Sequence, residues 1–439
     1  MSKQLRNLII GVIVLVVAAG AYFAVSSRKT EEEKQEQTAQ NIYNDSKANI
    51  VEIEISSPSE SGKFVKNGAD WVIEGKENIE LSQINIDRAA TYVKTFAYDK
   101  EIGEGDEAEY GIDKGVTFTA VSDEGKEYTV TIGDEIMGDS GYYALVEGKI
   151  YAVSKELGEA VKKNISDYRD KNPSYVDYSQ ISTMTVQRQG KDTIVIEPNP
   201  DGEIEDGLGE YILAEGFVCP MPVVTDALSE NIGSPLYEIT AQKFIDEPES
   251  DETYGFDKPY MQIDTKDTQG YECGIIVGNE AENGYRYAKF SGKDYVCTVS
   301  TEKTDKIYNA DVFDIISKYY VNTPFTKTTS VTLTAEGTSH VFTVDSSNAK
   351  VFKDNAETSA EDFSKLYGKL ASLTMDGKPQ KDFGESVLTA EISYSDGTKE
   401  KIEFFGCDDN YCGAEINGEK VAVTGKKMVD EFINSVKNY

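Results

Sequence analysis

The most continuous apolar stretch of the chain lies at its N-terminus. Residues Leu8–Val25 carry no charge, and Lys3 and Arg6 precede them. At about 1.5 Å per residue, a helix of this length just spans a hydrocarbon core of about 30 Å. The pattern predicts a transmembrane signal-anchor helix within residues 1–26, held in the lipid bilayer through Leu8–Val25. The alternative is a signal peptide cleaved at Ala19-Gly20-Ala21, although the apolar run continues beyond that site.

A polar segment follows the apolar run and is predicted to be a stalk. Residues 27–46 are rich in Glu, Gln and Lys and hold too little apolar surface to fold alone. A single N-terminal apolar segment ahead of a long polar chain favours a cytoplasmic N-terminus and an external C-terminal part. We therefore expect a single-pass protein of the cell membrane whose C-terminal domain lies outside the cytoplasm.

Beyond the stalk, apolar and polar residues alternate in short runs bounded by glycine. Val116–Val121 and Tyr128–Ile132 are examples, rich in β-branched and aromatic residues. This pattern is typical of antiparallel strands joined by tight turns. Asn417-Gly418 and Asp396-Gly397 are two-residue hairpin signals, because such turns need positive φ angles. The sequence therefore predicts β-meanders.

The meander pattern occurs three times at similar spacings. Each copy opens on an aromatic residue followed by glycine, has a glycine at the end of its second strand, and has another glycine in its second hairpin. The repeat positions are Tyr110, Gly111, Gly133 and Gly148, then Tyr254, Gly255, Gly278 and Gly292, then Phe383, Gly384, Gly406 and Gly418. The copies lie too far apart for a solenoid, whose repeats have roughly 20–50 residues, so each copy is expected to be a whole module.

Helical patterns follow the three meanders, at residues 155–168, 301–319 and 426–436. We therefore predict an α+β fold, with an N-terminal transmembrane helix followed by three repeated modules. Each module has an antiparallel β-meander and flanking helices. The modules are predicted at residues 47–174, 175–322 and 323–439, and the third is the most divergent.

Several short motifs in the first module recur in one known family. They are Trp71-Val72-Ile73, the Tyr110-Gly111 pair, Ile132-Gly133-Asp134 and the segment Tyr168–Asn172. In their order and spacing the chain resembles the bacterial domain-of-unknown-function 4340 family over most of residues 47–322. The resemblance implies a membrane-anchored, extracytoplasmic protein. Members of the family are often encoded near components of ABC-type exporters and gliding-motility-like auxiliary proteins, which makes components of an ABC-type membrane complex the expected partners. The resemblance supplies no catalytic residue.

The net charge and the histidine content of the chain exclude some classes of function. Lys and Arg total 44 and Asp and Glu total 78, so the net charge is −34. Such an acidic surface repels phosphates and excludes a general nucleic-acid binder. His340 is the single histidine, which excludes a histidine-rich zinc site. We predict no cofactor and no metal site.

Three patterns suggest chemistry, and each has a simpler interpretation. Ser300 and Lys303 have the S-x-x-K spacing of penicillin-recognising enzymes, but the accompanying K-T-G strand is missing and Ser300 fits a helix N-cap. His340 lies in a predicted strand without a nucleophile motif. The acidic segment Asn199–Asp206 could hold calcium, but it departs from the EF-hand pattern and fits a hairpin loop better.

Cys407 and Cys412 flank a predicted turn between two neighbouring strands. Antiparallel neighbours have Cα atoms about 4.5–5.5 Å apart, within the range for a disulfide. An extracytoplasmic compartment permits the bridge. The alternative is two reduced thiols.

The sequence leaves two classes of function. The first is a non-catalytic accessory or binding component of an ABC-type transport or envelope complex. The second is an extracellular glycan-binding, peptide-binding or wall-associated module, with enzymatic activity possible. No catalytic residue is predicted, which favours the first class.

Overall fold

The computed structural model describes residues 40–138, 140–172, 176–177, 180–200, 202, 204, 208–379 and 382–439. The apolar run Leu8–Val25 and most of the predicted stalk lie outside these residues. Among the residues that are described, no helix combines the length and the apolar character needed to cross a membrane.

The described chain is mostly β-sheet, so the predicted α+β fold class is wrong. Its strands form four antiparallel sheets, and the helices between them are short. The helix expected over residues 155–168 ends at Val161 and is followed by a 3₁₀ turn at Ile165–Tyr168. The helix expected over residues 301–319 breaks at Ala310, whose backbone is not helical, and restarts because Asp311 caps a new N-terminus. The spacing of apolar residues stays helical past both helix ends, so it does not reveal where local capping ends one helix and begins the next.

The chain forms two compact units, one up to Asp170 and one over Lys171–Tyr439. In the first unit, residues 40–48 lie against the folded part, because Tyr43 packs edge-on against Tyr128 and the Tyr128 hydroxyl donates to Asp45 Oδ2 at 2.6 Å. The strands of this unit are β1 Gln40–Asn41, β2 Ile50–Ser56, β3 Ser61–Asn67, β4 Asp70–Ile73, β5 Ala97–Tyr98, β6 Lys100–Gly103, β7 Val116–Ser122, β8 Glu127–Glu135, β9 Tyr142–Val146 and β10 Lys149–Val153.

In the first unit the main sheet has the order β4-β3-β2-β7-β8-β9-β10-β6, and β1 pairs with β5. Two helices, α1 (Gln83–Lys94) and α2 (Lys155–Val161), pack together with it. Alternate residues of β7 are buried, as a strand with one covered face requires. Trp71 is 2% exposed, and its indole Nε1 donates to Asp87 Oδ1 of α1 at 2.7 Å, which joins the edge strand to the helix.

The second unit contains two large sheets. The first has the order β14-β13-β12-β11-β16-β17-β18-β19-β15. Its strands are β11 Ile181–Arg188, β12 Ile194–Pro198, β13 Leu208–Glu215, β14 Met221–Val224, β15 Lys243–Ile245, β16 Met261–Asp267, β17 Glu272–Glu280, β18 Tyr285–Phe290 and β19 Val296–Ser300. Its helices are α3 Thr225–Leu228, α4 Ser234–Tyr237, α5 Asp251–Tyr254, α6 Thr301–Asn309 and α7 Val312–Ile315.

The second sheet of this unit has the order β23-β22-β21-β20-β24-β25-β26-β27. Its strands are β20 Thr328–Ala335, β21 Thr338–Asp345, β22 Lys350–Lys353, β23 Ala356–Thr358, β24 Ser386–Tyr394, β25 Lys399–Gly406, β26 Tyr411–Ile416 and β27 Glu419–Gly425. Helices α8 (Ala360–Ala371) and α9 (Lys426–Lys437) belong to this part. One apolar core runs through both sheets, so the predicted module boundary at residues 322 and 323 falls inside this unit.

A stack of side chains fixes α6 to the first sheet of the second unit. The Tyr260 and Tyr308 rings lie 4.1 Å apart and nearly parallel. Arg286 covers the outer face of Tyr260 at 3.7 Å, and the Lys191 ammonium covers Tyr308 at 4.3 Å. Cations favour the electron-rich faces of aromatic rings, so the stack stabilises the packing of this helix.

The two hairpins predicted at Asn417-Gly418 and Asp396-Gly397 have different turn types. Asn417 and Gly418 both have positive φ, 52° and 89°, as a type I′ turn requires. At the Asp396-Gly397 turn only Gly397 has positive φ, and the Tyr394 N–H donates to the Thr398 carbonyl. This geometry fits a three-residue loop with a glycine at the left-handed position.

Candidate functional site

The candidate site is a cavity of about 520 Å³ in the second unit, between the first sheet and the helical segment that follows β14. Ile181 and Met184 of β11 and Tyr211 of β13 form its apolar floor, and all three are buried. Ile181 and Met184 are three positions apart and would normally point to opposite faces of a strand. A register shift between Ile181 and Thr183 inserts an extra residue, which turns both side chains toward the cavity.

The segment that covers the cavity is a helix with a π turn at its centre. Helices α3 and α4 are joined by the π-helical turn Ser229–Gly233, and the Ser234 N–H donates to the Ser229 carbonyl five residues back. Pro235 follows directly. Proline has no N–H, and its ring would clash with the carbonyl four residues earlier in a regular helix. The wider turn relieves this clash, and it brings Ser229 and Gly233 to the cavity wall.

The mouth of the cavity is acidic. Glu210 is exposed and makes no ion pair with a described residue. Glu238 pairs with Lys303, which also approaches Glu302 at 3.7 Å. Beside them Tyr237 is 76% exposed, an unusual position for a large aromatic side chain.

One polar atom of the cavity wall has no partner. The Oγ1 atom of Thr225 is buried and forms no hydrogen bond with the described residues. A buried hydroxyl without a partner is costly and calls for an explanation such as a bound group. The cavity therefore has an apolar floor, acidic groups at its mouth and one unsatisfied hydroxyl enclosed in its wall.

A second, smaller cavity of about 260 Å³ lies between the two sheets of the second unit. Burial raises the pKa of the Glu400 carboxyl, although the Tyr394 hydroxyl opposes the shift by donating to Glu400 Oε2 at 2.7 Å. Burial also raises the pKa of the Cys219 thiol on the same wall to about 11. A thiol of high pKa is a poor nucleophile at neutral pH, so Cys219 is not activated in this position.

The structure brings the predicted repeat positions together in pairs. In the first copy, Gly133 lies so close to the Tyr110 carbonyl oxygen that a Cβ atom would clash with it, and Gly111 lies against the Asp134 side chain. In the second copy the same relation joins Gly278 to the Tyr254 carbonyl oxygen. The start of each meander is thus pressed against the end of its second strand.

The remaining repeat positions follow the same plan with variations. Gly255 lies against the Asn279 side chain, as Gly111 lies against Asp134. In the third copy, which begins at Phe383, the Gly384 N–H donates to the Gly406 carbonyl at 2.6 Å. The hairpin glycines all have positive φ; they are Gly148, Gly292 and Gly418. These contacts build the fold, and none of the repeat positions lines the 520 Å³ cavity.

The cysteine pair lies at the β25–β26 hairpin. Gly406 is paired in register with Cys412, so Cys407 follows one position later. Cys412 is buried, Cys407 is half-buried, and both are thiols in the structure. Burial raises the pKa of Cys412. The bridge between them stays a prediction.

The structure shows where the other residues with suggested chemistry lie and what they contact. Ser300 is the N-cap residue of α6 without a side-chain capping bond, while Lys303 binds Glu238. His340 lies on β21, and its Nε2 is 3.1 Å from the Val436 carbonyl oxygen. The acidic segment Asn199–Asp206 lies between β12 and β13 and falls partly outside the described residues. Within the described part of the chain, no three His, Cys, Asp or Glu side chains are grouped to hold a metal ion.

No pattern in the sequence indicates the residues of the 520 Å³ cavity. Their positions depend on a bulge in β11 and a π turn, and neither leaves a periodic pattern. The signal that could have indicated the turn is Pro235 inside a helical segment, since proline disrupts the helix around it.

One family model matches this chain. Residues 71–259 match Domain of unknown function (DUF4340), which confirms the resemblance to this family seen in the sequence motifs. All the residues that line the 520 Å³ cavity lie within the matched range. No curated protein and no solved structure matches the chain.

Proposed function

We propose that the protein is a non-catalytic binding component of a cell-envelope complex, accessory to an ABC-type transporter. The observation that supports it is the 520 Å³ cavity. Ligand sites usually have volumes of roughly 300–1,000 Å³, mostly apolar walls and a few polar groups. The cavity has this composition, with Thr225, Glu210 and Glu238 as its main polar groups.

We place the folded part outside the cytoplasm. The uncharged run Leu8–Val25 and the polar residues 27–39 support this, since they fit an attachment to the membrane followed by a spacer. The predicted stalk is shorter than expected, because residues 40–46 pack on the first unit. The family resemblance supports the same location. Binding at the outer face of the membrane would let the protein present its ligand to a transporter.

The location is tested by adding protease to intact cells. We expect digestion of the chain beyond residue 40, with a cytoplasmic marker protein left intact. Full protection of the folded part, with digestion only after lysis, would refute the proposed location.

The partnership is tested by photo-crosslinking in intact cells. A photoreactive phenylalanine replaces Tyr237 at the cavity mouth or, as a matched control, the 57% exposed Tyr271 on the β16–β17 hairpin. We expect permease or ATPase subunits of one transporter to be captured from position 237 and not from 271. Capture of wall glycan or wall peptide instead would support the alternative class of function, and equal capture from both positions would contradict a specific interface.

A further inference from the structure

We infer that the 520 Å³ cavity binds an alkyl chain that carries a protonated primary amine. The inference deepens the proposed function, because it names the ligand class of the same site. It rests on three features of the cavity: its apolar floor, its acidic mouth and the unsatisfied Thr225 hydroxyl.

The apolar part of the ligand is indicated by the floor. Ile181, Met184 and Tyr211 present buried apolar surface at the base of the cavity, and Leu228 of α3 faces them from the covering segment. Filling this space removes apolar ligand surface from water, at roughly 25 cal/mol per Å².

The positive charge of the ligand is indicated by the mouth. Glu210 has no counter-ion among the described residues, while Glu238 and Lys303 neutralise each other. The mouth therefore carries a net negative charge. The chain as a whole has a net charge of −34, which attracts cations and repels fatty acids and other anionic amphiphiles.

The primary amine is indicated by Thr225. Thr225 is a half-buried residue of the cavity wall and its Oγ1 is enclosed, so rotation of this side chain on binding would turn Oγ1 to the ligand as a hydrogen-bond acceptor. A primary ammonium has three N–H donors and can bond both this hydroxyl and a carboxylate, whereas a quaternary ammonium has none. A hydrogen bond to a charged donor is stronger than a neutral one, so the primary amine gains most from this atom.

Four probes with the same chain and different head groups test the inference. They are decylamine, decyltrimethylammonium, decanol and decanoate, titrated into the full-length protein by calorimetry below their micelle concentrations. We expect decylamine to bind most tightly and decanoate least. Equal binding of all four, or no binding of decylamine, would overturn the inference.

Substitutions separate the contributions of the Thr225 hydroxyl and the Glu210 carboxylate to ligand affinity. Thr225→Val keeps the side-chain shape, and we expect it to weaken decylamine about tenfold and to leave decyltrimethylammonium unchanged. Glu210→Gln should weaken both cations about threefold, whereas Glu215→Gln, at an exposed carboxylate farther along the same strand, should change neither. If Glu215→Gln weakens the cations as much as Glu210→Gln does, the charge effect is not local to the mouth and the assignment to this cavity fails.

A substitution that fills the cavity gives the last test of ligand binding. Ser229→Phe places a ring at the cavity wall, and Glu230→Phe places one on the neighbouring exposed position, which does not line it. We expect Ser229→Phe to abolish decylamine binding and Glu230→Phe to retain it. Circular dichroism confirms that each variant is folded, and retained binding in folded Ser229→Phe would overturn the inference. Transporter capture at position 237 without alkylamine binding would leave the proposed function intact and reject only this ligand.

Discussion

At the scale of single residues, close backbone approach explains the repeated glycines. Gly133 and Gly278 sit where a Cβ atom would meet a carbonyl oxygen of the aromatic-glycine segment. A backbone oxygen cannot move aside as a flexible side chain can. In the first two copies the motif therefore marks a close contact that joins the aromatic-glycine segment to the end of the second strand, whereas the Cβ position at Gly406 in the third copy is open among the described residues.

We expect Gly278→Ala to lower the free energy of unfolding by about 1–3 kcal/mol, because it forces an atom into a packed contact. Gly368→Ala is the matched control. Gly368 lies in α8 with open space around it, so alanine should stabilise the protein by about 1 kcal/mol through helix propensity. Urea unfolding measures both, and equal effects of the two substitutions would contradict the close-contact explanation.

A pH dependence follows from Glu400. Burial raises the pKa of this carboxyl in the folded protein, so folding favours its protonated form. The stabilisation is complete below the carboxyl's unfolded pKa of about 4.3, and it is lost as the pH rises through the folded pKa. Glu400→Gln keeps an acceptor for Tyr394 and removes the charge.

We therefore expect Glu400→Gln to be more stable than the wild type at neutral pH and to match it near pH 4. Urea unfolding across this pH range measures the difference. A variant that is less stable at neutral pH, with the same difference at pH 4, would show that the carboxylate is favourably bound.

At the scale of elements, the strands were easier to predict than the helices. The alternation in Val116–Val121 is seen directly in the burial of β7, because a strand with one covered face must alternate. Helix breaks were not visible, since the break at Ala310 depends on Asp311 capping a new helix. The cavity could not be predicted, because the bulge at Ile181 and the π turn before Pro235 depend on tertiary packing.

The Cys407–Cys412 bridge belongs to the β25–β26 element. It would close a very short loop, so we expect it to add less to stability than the roughly 3 kcal/mol of a fifteen-residue loop. Non-reducing peptide mapping of protein taken from the cell surface identifies the bridge, and urea unfolding with and without reductant measures its effect. Recovery of both residues as free thiols would refute the bridge.

At the scale of the whole molecule, the division into two units should be visible when unfolding is followed by fluorescence and by circular dichroism. Trp71 is the single tryptophan of the chain and is buried in the first unit. Its fluorescence should therefore follow the unfolding of that unit, while far-ultraviolet circular dichroism follows both. We expect different urea transitions from the two signals, and coincident transitions would show that the units unfold together.

The central claim is that the 520 Å³ cavity of the second unit is a ligand site. Hydrogen–deuterium exchange with and without decylamine tests it most directly, because it locates protection along the chain. We expect decylamine to slow exchange in peptides from residues 208–215 and 225–238 and to leave exchange in the first unit unchanged. Unchanged exchange in these peptides, or protection confined to other parts of the chain, would contradict it.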